Sequence, residues 1–201
     1  MINKYLSIVS IIIYRTILRL YSYLYLISLK IRGMHGGMGL RVHFGVSISE
    51  WLCCLYMGKN VVLHKGVKIL MSRNSSLVMK DRSWVSYYTI IIASTNAKIV
   101  IGENTMIGGN CMIVSADHNI RNKMSLRDSG HVVGNIIIGD NCWIGANSVI
   151  TKGVSIGDGT IIGAGSIVTK DIPPMSIAVG APARVIGYRE LAYESENKNI
   201  I

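Results

Sequence analysis

Charge is scarce in this 201-residue chain, and negative charge scarcer still. Asp, Glu, Lys and Arg make up 16% of residues, with 11 acidic side chains against 21 basic ones. Half the residues are apolar, a balance that excludes global disorder. There are only 3 prolines and 1 phenylalanine, and past the first quarter the aromatic residues thin out to a few, notably Trp84, Tyr87, Tyr88 and Trp143. The 4 cysteines, Cys53, Cys54, Cys111 and Cys142, contain no Cys-x-x-Cys pair, which removes a zinc knuckle or dithiol redox motif. Cys53 and Cys54 are adjacent and do not pair with each other, so a reduced, cytoplasmic chain is expected. Among His35, His43, His64, His118 and His131 there is no His-x-His or His-x-x-x-His pair, and no metal is expected. Helical Lys/Arg clusters, zinc-finger spacing and aromatic-basic stacking motifs are missing too. The net charge of +10 therefore points away from nucleic acid and towards an anionic cofactor or an anionic membrane surface.

The first 32 residues are strongly apolar but lack the small-residue cleavage site of a signal peptide. Arg15 and Arg19 interrupt the run near its middle, each costing about 2.5–3.5 kcal/mol at the centre of a membrane span, so insertion is disfavoured. At about 100° per residue, Lys4, Arg15, Arg19, Ser22 and Lys30 share a sector of roughly 80°. The pattern predicts one or two amphipathic helices with a narrow basic stripe. Such a helix can pack on the main domain and show its stripe to water, or touch anionic lipid; both can hold at once.

What the chain has in abundance is a period of six. Ile138, Ile144, Ile150, Ile156, Ile162 and Val168 follow one another without a break. Shorter runs are Ile101, Ile107, Ile113; Met57, Leu63, Ile69; and Met79, Val85, Ile91. Glycine commonly follows the aliphatic residue, and a small residue stands four places after it, as at Ser83, Thr89, Thr105, Cys111, Cys142, Ser148, Thr160 and Ser166. Six fits neither a helix nor an alternating strand. It fits a triangular coil in which three hexapeptides supply three short strands, with the aliphatic side chain inside, the small one near the corner, and glycine lending backbone freedom beside the turn. A β-sandwich would need period-two alternation instead. Cys111 and Cys142 occupy the small inward position, so packing explains them without thiol chemistry.

The runs beginning at 57, 79 and 101 are each one 18-residue coil plus four residues, which are expected to bulge at a corner. With the run from 138 this predicts about five coils, a prism on the order of 24 Å long. The expected organisation is an N-terminal amphipathic helical and connecting segment over 1–56, a repeat domain over 57–187, and a polar tail over 188–201 that begins as a short helix and frays.

The repeat breaks once. From Ile113 to Ile138 is 25 residues, which six does not divide, so a loop over 115–135 must leave the prism. It opens Ser115-Ala116-Asp117-His118-Asn119 and carries Arg121, Lys123, Arg127, Asp128 and His131. A polar loop on a rigid apolar scaffold is a favourable place for function. A neutral imidazole at His118 can take a proton from a hydroxyl. Adjacent strand side chains point oppositely, so Asp117 is expected to cap the loop rather than partner His118.

Three segments resemble the hexapeptide-repeat acyltransferases. They are Ile138-Gly139-Asp140-Asn141-Cys142-Trp143-Ile144-Gly145-Ala146-Asn147, the run from Gly163 to Pro174 containing Thr169-Lys170-Asp171-Ile172-Pro173-Pro174, and Gly180-Ala181-Pro182-Ala183-Arg184-Val185-Ile186. The likeness covers 57–187 and is nearest the maltose- and galactoside-acetyltransferase branch, including members found with capsule, colanic acid and O-antigen synthesis. It implies a left-handed parallel β-helix, homotrimers with sites between neighbouring prisms, and acetyl-CoA as co-substrate. It also implies residue roles. His118 matches the catalytic base, Trp143 the groove wall, and Ala146 and Ala164 backbone contacts to the pantetheine arm. Thr169 and Lys170 match contacts near the adenosine, and Arg184 a phosphate contact. Basic groups there suit the phosphates of CoA.

Two departures stand out. The stretch Val85-Ser86-Tyr87-Tyr88-Thr89 lacks the asparagine that sugar acetyltransferases of this branch often carry before the catalytic loop, and residues 1–56 are unlike the family's acceptor-binding segment. The expected activity is O-acetylation of a sugar hydroxyl in a surface polysaccharide or its precursor, with contact to the inner face of the membrane left open. A serine or antibiotic acetyltransferase and a non-catalytic trimeric scaffold are the alternatives.

Overall fold

The computed structural model describes residues 2–49, 52–121 and 124–190. One helix, Ile2–Ile31, leads into a left-handed parallel β-helix of six coils. Three sheets form its faces. Face A stacks His35–Gly36, Leu55–Met57, Ser76–Met79, Lys98–Ile101, Ile136–Ile138 and Ser155–Ile156. Face B stacks Arg41–Val42, Val62–Leu63, Trp84–Val85, Met106–Ile107, Trp143–Ile144 and Ile161–Ile162, and ends in an antiparallel hairpin of Ser176–Gly180 and Ala183–Tyr188. Face C stacks Ser47–Ile48, Lys68–Met71, Ile90–Ala93, Met112–Val114, Val149–Ile150 and Ile167–Val168.

The period of six reappears as columns. Ile101 pairs with Ile138, Ile107 with Ile144, and Ile113 with Ile150. Each aliphatic side chain is buried on its equivalents in the coils above and below, which is how units too small to hold a core alone acquire one. The small residues do more than save space. Thr105 Oγ1 donates to the Gly139 carbonyl at 2.7 Å and accepts from the Cys142 N–H at 3.1 Å, tying one coil to the next. Thr89 does the same with Gly108 and Cys111. Cys111 and Cys142 sit in this role, each Sγ 3.2 Å from a carbonyl of the next coil, and burial pushes both thiols up from their usual pKa.

The structure departs from the expectations in five places. The glycines after the aliphatic residue are not needed for backbone freedom: a Cβ on Gly145 would strike the Ala164 backbone, and one on Gly108 the Ala146 backbone. The left-handed turn conformation falls two residues further on, at Asn60, Asn104, Asn110, Asn141 and Asn147. The four extra residues of the early coils do not bulge. They lengthen the strands on both sides of the C–A corner, giving Lys68–Met71 and Ser76–Met79 four residues where Val149–Ile150 and Ser155–Ile156 have two.

Residues 35–48, placed by the repeat count in the connecting segment, form the first coil. Val42 and Ile48 keep the six-residue step, and Gly36 hides it by standing where an aliphatic residue is expected. The helix packs on the prism along one edge of its basic stripe: Ser22 is half-buried and Arg19 lines the space beside it, while Arg15 and Lys30 stay exposed. Ser22, Tyr25, Leu26 and Leu29 face the first coil, with Leu29 fully buried, and the Tyr25 hydroxyl oxygen accepts the Ile48 N–H at 3.2 Å. Arg19 lies beside this contact, while Ile13, Ile17, Leu20, Leu24 and Ile27 are exposed on the outer side. Among the described residues no helix is long and apolar enough to cross a membrane. The tail expected to begin as a helix opens instead with Tyr188 in the last strand; 191–201 lie outside the described residues.

Candidate functional site

The break in the repeat becomes an antiparallel hairpin, Ala116–His118 against His131–Val133, standing out from the C–A corner of the fourth coil. Its base is held rigidly. Buried Ser115 donates to the Ile92 carbonyl and accepts the Ser94 N–H at 2.8 Å, and the Gly134 N–H returns to the Ser115 carbonyl. Asp117 does not cap the loop. Its carboxylate accepts from the Lys152 ammonium at 2.6 Å, lashing the hairpin to the next coil. His118 pairs across the hairpin with His131, their ring centroids 4.7 Å apart, and its side chain is exposed. Asn119, at the mouth of the loop, donates its N–H to Gly130 and accepts that of Arg121. Lys123 lies outside the described residues.

A second locus lies on the B–C corner. Lys65, Tyr87, Gly109, Ala146 and Ala164 occupy equivalent corner positions in successive coils. They are laddered by the N–H of the following residue: Tyr88 to Lys65 at 3.1 Å, Asn110 to Tyr87 at 2.8 Å, Asn147 to Gly109 at 2.9 Å and Gly165 to Ala146 at 2.8 Å. From Gly109 onward the corner bears no large side chain, so backbone is accessible along a shallow track. Trp143 lies on face B just before this corner, between Met106 and Ile161, and is half exposed.

Thr169 and Lys170 follow the last face-C strand and are exposed at the C–A corner, on the edge that also bears the His118 hairpin. Arg184 is exposed in the final strand, opposite Val179, its guanidinium donating to the Ala183 carbonyl at 2.9 Å. Within one chain, then, the seven residues divide. His118, Thr169 and Lys170 line one corner; Trp143, Ala146, Ala164 and Arg184 lie on or beside face B. Face C separates the two sets, and a single prism cannot close around both. Among the described residues no cluster of three or more His, Cys, Asp or Glu side chains could hold a metal.

The sequence reading did not find a cavity of about 650 Å³ between the helix and the first coils, lined by Arg19, Arg41, His43, Phe44, Lys65 and Tyr87 among others. Next to it, His64 is only 9% exposed and neither ring nitrogen has a partner among the described residues. Its ring packs on His43, Trp84 and Tyr87 at 4.6–4.9 Å. The signal available was the recurrence of Arg41 and Lys65 just outside aliphatic positions, together with Arg19 in the helical stripe.

With this geometry in view, known proteins sharpen the picture. The family described as hexapeptide repeat of succinyl-transferase matches residues 98–116 and 135–170. The galactoside O-acetyltransferase of Escherichia coli K12 is 47% identical over 89 residues, 44% of this chain and 43% of that protein. The chain spans about half the length of the curated relatives it matches. Among solved structures, a maltose O-acetyltransferase from Clostridium difficile 630 is 31% identical with a TM-score of 0.55, covering 81% of this chain and 73% of that one. AntD, an N-acyltransferase from Bacillus cereus solved with coenzyme A and a dTDP-linked amino sugar, shares the fold at a TM-score of 0.73 and 22% identity, covering 85% of this chain and 92% of that one. On its stacked six-residue columns and on these likenesses, the chain belongs to the hexapeptide-repeat acyltransferase family.

Proposed function

We propose that the chain is an acetyl-CoA-dependent O-acetyltransferase that acts on a sugar hydroxyl of a surface polysaccharide or its precursor, with His118 as general base. The observation that carries this reading is an exposed imidazole at the base of a braced hairpin, where the repeat breaks, in a chain whose relatives include galactoside and maltose O-acetyltransferases. In the proposed reaction acceptor and thioester meet in one ternary complex. Neutral His118 takes the hydroxyl proton as the oxygen attacks the thioester carbonyl. A positioned N–H steadies the tetrahedral oxyanion. The C–S bond then breaks, and the imidazolium returns the proton to the departing thiolate. Holding both substrates in one groove supplies much of the acceleration. His131 acts as a positioning residue, stacking against His118 and limiting its rotation.

The cofactor contacts are assigned to Trp143, Ala146, Ala164, Thr169, Lys170 and Arg184. Pantetheine amides would bond the bare backbone of the B–C corner, and the cations would meet the phosphates. Because Trp143, Ala146, Ala164 and Arg184 lie across face C from His118, the site is assigned to a homotrimer in which one chain's hairpin faces a neighbour's B–C corner. Exposed apolar side chains support such contacts: Met112 and Ile167 on face C, and Ile120, Met124 and Leu126 in the loop. A cytoplasmic location, peripheral at the inner membrane face, suits the exposed apolar side of the helix. The test is acetyl-CoA consumption against a panel of sugars, serine and chloramphenicol, with mass measured in solution. Transfer to sugars by a three-chain species is expected. Transfer to serine or chloramphenicol alone, or to nothing, would reject the reading.

A further inference from the structure

The cavity between the helix and the first two coils has a composition unlike the rest of the surface. Arg19 enters it from the helix, Arg41 from the first face-B strand, and Lys65 from the B–C corner of the second coil. Among the described residues no acidic side chain lines it. Among the described residues none of the three cations forms an ion pair; the ion pairs present are Lys80–Asp140, Arg82–Glu103 and Lys152–Asp117, all elsewhere. Three cations converging on one concave space without a counter-ion repel one another, and an anion bearing more than one charge relieves that repulsion. Between the cations stand Phe44 and Tyr87, with Tyr14 and Tyr23 from the helix, faces on which a sugar ring or another flat apolar group can rest. At about 650 Å³ the space matches a ligand of nucleotide-sugar size.

Its position gives the composition meaning. Lys65 and Tyr87 are members of the same corner ladder as Gly109, Ala146 and Ala164. At about 4.8 Å per coil, Tyr87 stands roughly 10 Å and Lys65 roughly 15 Å beyond Ala146 along the prism. A pantetheine arm descending this corner from the C-terminal coils would therefore present its thioester towards Tyr87, at the mouth of the cavity. Behind that mouth lies His64, buried and without a partner for either nitrogen, its ring against the cavity residues His43 and Tyr87.

We infer that this cavity is the acceptor subsite and that the acceptor is a sugar carrying a diphosphate, held through Arg19, Arg41 and Lys65. The inference rests on the sugar acetyltransferase reading and narrows it: the substrate is an activated precursor, not a finished neutral glycan. Sugar diphosphates occur both as soluble nucleoside diphosphate sugars and as prenyl-diphosphate sugars in membranes, and the shared chemistry is the diphosphate.

The test uses the full chain and one sugar in three forms, namely free, linked to a nucleoside diphosphate, and linked to a prenyl diphosphate in detergent micelles, with labelled acetyl-CoA as donor. The expected result is a kcat/KM at least about tenfold higher for one of the diphosphate-linked forms, and which of the two identifies the source. Lys65→Gln and Arg41→Gln change exposed side chains, and thermal melts check that both fold. Each should raise the acceptor KM about tenfold or more while the KM for acetyl-CoA stays within about twofold. A second measurement needs no turnover. Inorganic pyrophosphate titrated calorimetrically into the chain saturated with CoA should bind once per chain, lose about tenfold in affinity in Lys65→Gln, and keep its affinity in Arg73→Gln, which changes an exposed cation away from both sites. Equal use of free and diphosphate-linked sugar, or pyrophosphate binding indifferent to Lys65, overturns the subsite and leaves the transferase reading standing. Failure to acetylate any sugar in any form overturns the transferase reading and the acceptor role together.

Discussion

The two halves of the prism solve the same packing problem with different surfaces. The last two coils are regular, with two or three residues per strand and a B–C corner reduced to Ala146 and Ala164. The first three carry aromatic and basic corners at Phe44, Lys65 and Tyr87 and a helix laid against their open end, and the second and third have four-residue strands at the C–A corner. The family match lies in the later part, residues 98–116 and 135–170. A thioester cofactor has one shape, so a surface that binds it has little latitude. An acceptor differs from one enzyme to the next, and the idiosyncratic end of this chain is where that difference has room.

Substitutions can break this comparison, and the largest effect belongs to the hairpin. His118→Ala is expected to lower turnover by about 10²–10⁴-fold while CoA binding, followed by calorimetry, persists. Full retained turnover would remove His118 from the chemistry. Next come stability effects that differ by region. Leu29→Ala empties a fully buried position under the helix and should cost about 2–4 kcal/mol in urea unfolding. It should also weaken acceptor use more than acetyl-CoA use. Gly145→Val pushes a side chain into the Ala164 backbone and should cost about 3 kcal/mol, with the opposite bias, because it spreads the track assigned to the cofactor. If both variants impaired the two substrates equally, the division of labour would be wrong.

A smaller effect sharpens the picture at the acceptor end. Burial, reinforced by His43 and Arg41, holds the His64 pKa below the usual histidine value, so the fold favours the neutral ring. Its stabilisation is complete above about pH 6.5 and declines as pH falls below that, because the unfolded chain takes up a proton that the folded chain resists. His64→Phe keeps the ring stack and removes two unpartnered nitrogens. It should raise stability by about 1 kcal/mol and flatten the acid limb of a stability profile below about pH 6.5. The smallest effect is expected at Asp140. The Glu103 N–H, and then the Lys80 ammonium, hold its carboxyl below the ordinary value. That contribution is present above the unfolded pKa of about 3.9 and is lost as pH falls through the lower folded value, so Asp140→Asn should destabilise slightly at neutral pH and not at all in strong acid.

How much of this could be read beforehand depended on whether a residue's neighbours were set by the repeat. Ile138 to Val168 dictated columns, and the columns followed. The single interruption located the hairpin and His118 for the same reason. Gly36 concealed the first coil because one missing aliphatic side chain breaks a periodic signal that the backbone tolerates without difficulty. The basic stripe was real, but a helical wheel has no knowledge of what lies beside it; Arg19 faces other cations because Leu26 and Leu29 anchor the helix on the prism. The cavity was invisible because Arg19, Arg41 and Lys65 are far apart in sequence and meet only through stacking. The Lys152–Asp117 tie was hidden likewise, since its partners belong to different coils.

The closing hairpin on face B has a consequence for growth. Parallel coils could in principle be added without end, since each leaves a ledge for the next. Here Ala183–Tyr188 runs against the grain of the stack, so a second molecule arriving end-on would meet a strand of opposite polarity, while at the other end the helix bars the way. End-on stacking of one copy on another is thereby disfavoured.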